Sequence, residues 1–211
     1  MEQQTVHASR YMIQSQEEEL KRVSDELHDG ICQRLYSIHI GLHAIESALE
    51  GSDLKQYVLQ MSGELSSAIL QLRHLSEELY PPTLTTLGLT PAMKNYAQLF
   101  TSTFGVVVEI SSNGPEKILS EQKSLNVFRV CQEALINIAK YAEVATASLQ
   151  FTWEEETLKI VIEDAGKGFD AKDVQFLGIA AMKKRMRLAE GDFQLSSQLG
   201  KGTKIMLSLS I

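Results

Sequence analysis

The apolar residues Ile13, Leu20, Val23, Leu27, Ile31, Leu35, Ile38, Leu42, Ile45 and Leu49 recur at steps of three, four and seven, and no other feature constrains this chain as much. Such steps keep side chains on one face of a helix and build a coiled-coil-like seam, so one long helix is predicted over Ile13–Leu49. The steps Leu27 to Ile31 to Leu35 are both four, which departs from the heptad and shifts the winding locally, at His28. Gly51-Ser52-Asp53 supplies a helix stop and a new N-cap. A second seam follows through Leu54, Val58, Met61, Leu65, Ile69, Leu72, Leu75 and Leu79, and Pro81-Pro82 ends it. The short link implies an antiparallel hairpin. Two helices cannot surround both stripes, so a homodimer closing a four-helix bundle is expected.

Composition narrows the rest. At 211 residues the chain is long enough for two modest domains, with the boundary placed between residues 1–82 and 83–211. A net charge of -7 without a basic stripe argues against direct nucleic-acid binding. No run approaches the roughly 18 apolar residues that span a bilayer, and no signal-peptide pattern is present, so no membrane contact is expected within this chain. Cys32 and Cys131 lack metal-ligand spacing and read as reduced, half-buried thiols of a cytoplasmic protein. His39, His43 and His74 have no adjacent acid and read as surface or boundary residues, while Glu17-Glu18-Glu19 reads as a solvated face.

The second half alternates strand and helix patterns. Pro91–Phe104 suits a helix with Pro at its start, and 106–110 suits a strand. Ser120–Ala142 forms an amphipathic helix. Strands are predicted at Ala147–Trp153, Leu158–Glu163, Phe193–Gln198 and Lys204–Ile211, with a helix at Ile179–Glu190. That alternation implies a two-layer α/β sandwich with the helices on one face of the sheet.

Several residues carry chemistry. His28 is followed by Asp29, and a neutral imidazole is a ready nucleophile whose tautomer an adjacent carboxylate can fix and whose proton it can accept. Taken alone, the pair is equally compatible with an ordinary exposed helix. Gln33 follows one turn beyond Asp29. In the amphipathic helix Glu133, Asn137 and Lys140 share one face and could hold Mg²⁺ and phosphate oxygens, or simply be solvated. Asp164 can accept from an exocyclic amine while Gly166 and Gly168 let the backbone approach a flat ring; a plain turn would have the same glycines. Gly200-Lys201-Gly202-Thr203 reads either as a second close-approach loop or as a hairpin.

Together and in this order, the segments resemble a bacterial sensor histidine kinase of the class paired with LuxR/NarL-type response regulators, over nearly the whole chain from about Leu20. Glu26-Leu27-His28-Asp29 with Gln33 looks like that class's phosphoacceptor motif, and Leu79-Tyr80-Pro81-Pro82 with Leu84, Leu87, Gly88 and Leu89 like the segment after its hairpin. Gln132-Glu133-Ala134-Leu135 with Asn137 resembles the N box of the GHKL (Bergerat) ATP-binding fold. Asp164, Gly166, Gly168 and Phe169 resemble its G1 box, Gly178 with Met182 the G2 region, and Gly200, Gly202 and Thr203 the last glycine box.

The resemblance implies ATP as phosphoryl donor, Mg²⁺ held through Asn137, Lys140 on the phosphates and Asp164 on the adenine. It implies autophosphorylation on His28, with Asp29 and Glu133 assisting, and transfer to an aspartate of a response-regulator receiver domain. It also implies that Gln33 positions water for the reverse, phosphatase reaction. A sensory or membrane-anchored portion upstream of the first helix is expected, with this chain as the cytoplasmic part. Tyr141 stands where histidine is common in the N box, Ala165 where asparagine or aspartate is common in G1, and Phe176 and Ala181 where G2 commonly has glycine. Two rival readings follow: another GHKL ATPase or protein kinase, disfavoured by the acceptor histidine, and a non-enzymatic dimeric scaffold with a degenerate ATP site.

Overall fold

The computed structural model describes residues 2–49, 52–170 and 177–211. The chain divides into two compact units, Met1–Pro82 and Thr83–Ile211.

In the first unit, α1 (Glu2–Asp25), a π-helical segment (Glu26–Cys32) and α2 (Gln33–Ala48) form one continuous helical rod, and α3 (Ser52–Leu79) folds back along it. The predicted change of winding at His28 is thus a π turn. Gly51 of the predicted helix stop lies outside the described residues. The antiparallel register follows from two contacts far apart along the pair. Ser24 Oγ meets Ser76 Oγ at 2.7 Å near one end, and His39 Nε2 meets Ser66 Oγ at 2.7 Å further along. Cys32, Val58, Ile69 and Tyr80 are buried between the helices, whereas Ile38, Ile40, Ile45, Leu54, Tyr57 and Leu70 are exposed. The hairpin alone therefore leaves apolar surface in water. Glu17 corrects the reading of its acidic run: it is buried, unlike its two neighbours. His43 is exposed, as expected of a surface residue, with its Nδ1 3.1 Å from Glu46 Oε2 one turn on.

The second unit holds α4 (Pro82–Thr86, beginning at the boundary), α5 (Leu89–Phe104), α6 (Glu121–Tyr141) and α7 (Leu177–Leu188), with β1 (Val107–Asn113), β2 (Thr146–Trp153), β3 (Thr157–Asp164), β4 (Gly191–Ser197) and β5 (Thr203–Ser210). The sheet runs β1-β2-β3-β5-β4, parallel between β1 and β2 and antiparallel elsewhere. Period-two alternation buries Leu149, Phe151 and Trp153 on β2, Leu158, Ile160 and Ile162 on β3, and Ile205, Leu207 and Leu209 on β5. Against that face α6 presents Val127, Cys131, Ala134 and Ile138, the three- and four-residue steps of a helix stripe. The two-layer arrangement expected from the alternating patterns is therefore present.

Two local expectations are corrected. Helix α5 begins at Leu89, so Pro91 lies inside its first turn, where the missing N–H costs nothing, and Gly88 is the N-cap. Gly88 has φ +98, and Glu116 Oε1 accepts from Thr90 N at 3.1 Å, so a side chain far along the sequence caps this helix. Cys32 and Cys131 are fully rather than half buried, and burial pushes the Cys131 thiol up to about 12. It is a packing residue, not a reactive one.

Candidate functional site

The chemistry of the first unit gathers at the π turn. His28 Nδ1 lies 2.9 Å from Asp29 Oδ1, with the two side chains 40 % and 71 % exposed. The tautomer protonated at Nδ1 donates to the carboxylate and leaves the lone pair on Nε2. The ring is therefore both oriented and accessible. Gln33 is exposed and opens α2, one turn beyond Asp29. His39 is tied to Ser66 and His43 to Glu46. Neither has a neighbouring carboxylate at sequence position i+1, as His28 does.

In the second unit a cavity of about 150 Å³ opens between α6, α7 and the ends of β3 and β5. It is lined mainly by apolar side chains, among them Ile138, Ile162, Ile179 and Met182, with Asn137, Asp164 and Thr203 as its polar groups. The origin of Asp164 in this wall is simple. It continues the inward alternation Leu158, Ile160, Ile162 by one more step, so the strand's pleat drives a carboxylate into the buried face. Only 5 % of it is exposed, and its Oδ1 accepts from Gly166 N at 2.8 Å. Burial raises its pKa; the backbone hydrogen bonds from Gly166 and Thr203 oppose that in part, and nearby Glu163 adds to it.

The glycines shape the walls. Gly168 (φ +57) and Gly202 (φ +78) adopt left-handed backbone, and a Cβ at Gly202 would run into the carbonyl of Asp164 itself. Gly166 packs against the backbone of Ala142 at the end of α6. Gly178 packs against the Glu133 carboxylate, which brings the start of α7 onto the Glu133–Asn137 face of α6. Gly200 sits in the turn between β4 and β5, exposed and uncrowded. Ser197 was not singled out by any pattern, yet it ties the two loops together. Its Oγ accepts from Phe169 N at 2.9 Å, donates to Gly202 O at 3.0 Å and lies 3.1 Å from Thr203 Oγ1. Lys167 N donates to Ala142 O at 3.0 Å, completing the bracket.

Asn137 Nδ2 reaches Glu133 Oε1 at 3.5 Å, which turns the amide oxygen away from Glu133. Lys140 follows Asn137 by three residues on the same helix; it is exposed and is not among the residues that line the cavity. Among the described residues no three His, Cys, Asp or Glu side chains gather closely enough to hold a metal ion. An ion bound here would need oxygen atoms from phosphate and water to complete its shell, which is how Mg²⁺ usually binds. Tyr141 and Phe169 add aromatic edges to the cavity. Ala181 is exposed, and Phe176 lies outside the described residues.

These features have counterparts in known proteins. The family described as "Histidine kinase" matches residues 19–84, and the family "Histidine kinase-, DNA gyrase B-, and HSP90-like ATPase" matches residues 122–211. The oxygen sensor histidine kinase NreB of Staphylococcus carnosus is 33 % identical over 202 residues, covering 94 % of this chain and 58 % of NreB. The chain thus spans a little over half the length of that relative. Among solved structures, the histidine kinase domain of the Erythrobacter litoralis EL346 blue-light activated histidine kinase aligns with a TM-score of 0.51 at 15 % identity, over 84 % of this chain and 94 % of that one. The larger structure of the same kinase aligns at 0.50 and 14 %, over 86 % of this chain and 59 % of that one. At such identity the likeness speaks for the fold alone. Among the described residues no helix is long and apolar enough to cross a membrane. With a histidine-kinase helical hairpin matched ahead of an ATPase-type sandwich, the chain belongs to the histidine kinases of the class that carries the Glu-Leu-His-Asp-x-x-x-Gln motif.

Proposed function

We propose that this chain is the catalytic portion of a two-component sensor kinase that phosphorylates itself on His28 at the expense of ATP. The observation that carries the reading is the 2.9 Å His28–Asp29 contact on an accessible surface. Nε2 of His28 forms a bond to the γ-phosphorus as the bond to the bridging oxygen breaks and ADP leaves. The positive charge that develops on the ring is stabilised by Asp29, which takes up the Nδ1 proton. Phosphoryl transfer asks for little covalent chemistry from the protein and depends on placement and charge.

The cavity of the second unit fits a purine. Its apolar walls suit a flat ring, and the buried Asp164 carboxylate suits an exocyclic amine. Asn137, with Glu133 behind it, would hold Mg²⁺, which neutralises phosphate charge when bound. Lys140 would reach phosphate from the solvent side. The exposed isoleucines and leucines of the hairpin support homodimerisation into a four-helix bundle. From His28 the phosphoryl group would pass to an aspartate of a LuxR/NarL-type response regulator, and Gln33 would position water for its later hydrolysis. We place the chain in the cytoplasm as part of a longer sensor. Incubating the full chain with γ-labelled ATP and mapping acid-labile label tests the reading directly. Tight ATP binding with no label on any histidine would favour another GHKL ATPase, and no ATP binding would favour a scaffold.

A further inference from the structure

The acceptor motif does not lie on an ordinary α-helix. The seven residues Glu26–Cys32 are π-helical, with the backbone on both sides in regular α geometry. A π turn of this kind is one extra residue accommodated inside an α-helix without disturbing the phase of its flanks. Both flanks are fixed. Upstream, Ser24 and Ser76 are each fully buried and bond reciprocally: Ser24 Oγ donates to Ser76 O at 3.0 Å or to Tyr80 O at 2.8 Å, and Ser76 Oγ donates to Ser24 O at 3.2 Å. At the downstream end Cys32, the last residue of the π segment, is 2 % exposed in the hairpin core. The extra residue therefore cannot be absorbed by rotating α1 or α2, and its whole effect falls on the side chains between the anchors.

The size of that effect follows from helix geometry. Seven residues cover the rotation that six would cover in an α-helix, so each advances about 86° instead of about 100°. Three residues beyond Asp25, His28 is turned by roughly 40° from the direction an unbroken α-helix would give it. Gly30 is not what forces the turn, because a Cβ there would meet only Glu26 Cγ at 3.9 Å. The number of residues matters, not the glycine.

We infer that the π turn, pinned by Ser24–Ser76 and Cys32, is a positioning device that aims the His28 imidazole for phosphoryl transfer. The inference rests on His28 as phosphoacceptor.

Deleting Gly30 from the full chain removes the extra residue and keeps His28, Asp29, Gln33 and both anchors. Gly30→Ala keeps the residue count. With helicity confirmed by circular dichroism, the deletion should slow labelling of His28 from saturating ATP by about a hundredfold, the cost of a misaimed nucleophile. The KM for ATP should not change, and Gly30→Ala should label at the wild-type rate. Phosphoramidate, a small donor that needs only an accessible imidazole, should still phosphorylate His28 in both variants. If the Gly30 deletion fails to fold, deletion of Ile31 removes the same single residue and carries the same expectation. A folded deletion that labels from ATP at the wild-type rate overturns the inference, as does Gly30→Ala labelling as slowly as the deletion. A wild-type chain that takes no label on His28 from ATP overturns the underlying reading instead.

Discussion

Asp164→Asn separates what the buried carboxylate costs the fold from what it contributes to binding. In the wild type the carboxyl is 5 % exposed and its pKa is raised, chiefly by burial. For a group whose folded pKa is raised, the folded state holds its proton more tightly than the unfolded chain. The stability it contributes is complete below its ordinary 3.8 and is lost as pH rises through the raised folded value. At neutral pH the ionised carboxylate is therefore a burden on the empty domain. An adenine amine bonds the ionised form, so binding runs the other way: ATP affinity should fall on acidification, starting at a higher pH than an ordinary aspartate would show. Asn keeps the shape and an acceptor oxygen for Gly166 N but carries no charge. Loss of a charge-assisted hydrogen bond costs about 1.5–3 kcal/mol, which is roughly a ten- to hundredfold loss of affinity. We expect Asp164→Asn to bind ATP that much more weakly by isothermal titration calorimetry at pH 8, and to lack the additional loss of affinity that the wild type shows on acidification beyond that of the ATP phosphate itself. Its apo melting temperature at pH 7 should equal or exceed that of the wild type. Wild-type affinity in the variant would refute the placement of a purine amine on Asp164, and a large fall in melting temperature would refute the burden argument.

His28→Gln should abolish acid-labile labelling while leaving ATP binding intact; label persisting on His39, His43 or His74 would remove the assignment. Gln33→Ala should keep most autophosphorylation but slow dephosphorylation of the regulator, because a neutral amide orders water but does not accept a proton, whereas Asp29→Ala should impair autophosphorylation. Equal loss of both activities in a folded Gln33→Ala variant would remove the role given to Gln33. Gly202→Ala places a methyl on left-handed backbone against the Asp164 carbonyl. It should cost at least about 1–3 kcal/mol, lowering the melting temperature by several degrees in calorimetry, and an unchanged value would refute that close approach.

The apolar spacing by itself determined the two long helices, and the period-two runs determined the strands, because burial of one face is written directly in residue order. The His28–Asp29 pair, too, was legible, since the two residues are neighbours in the chain and need no fold to meet. The ordered boxes singled out Asn137, Asp164, Gly168 and Thr203 as candidate nucleotide residues, and the sheet and α6 bring all four to one cavity. Ser197 bridging Phe169 to Gly202, Glu116 capping α5, and Ser24 meeting Ser76 are all pairings between residues distant in sequence. A hydroxyl or a carboxylate has no periodicity to announce its partner, so only the packed structure decides where its hydrogen bonds go. The π turn lies between the two cases. Its four-four step is visible in the spacing of Leu27, Ile31 and Leu35. That the change of winding is an extra residue, flanked by a buried Ser24–Ser76 contact between distant parts of the chain, is seen only once α3 has folded back.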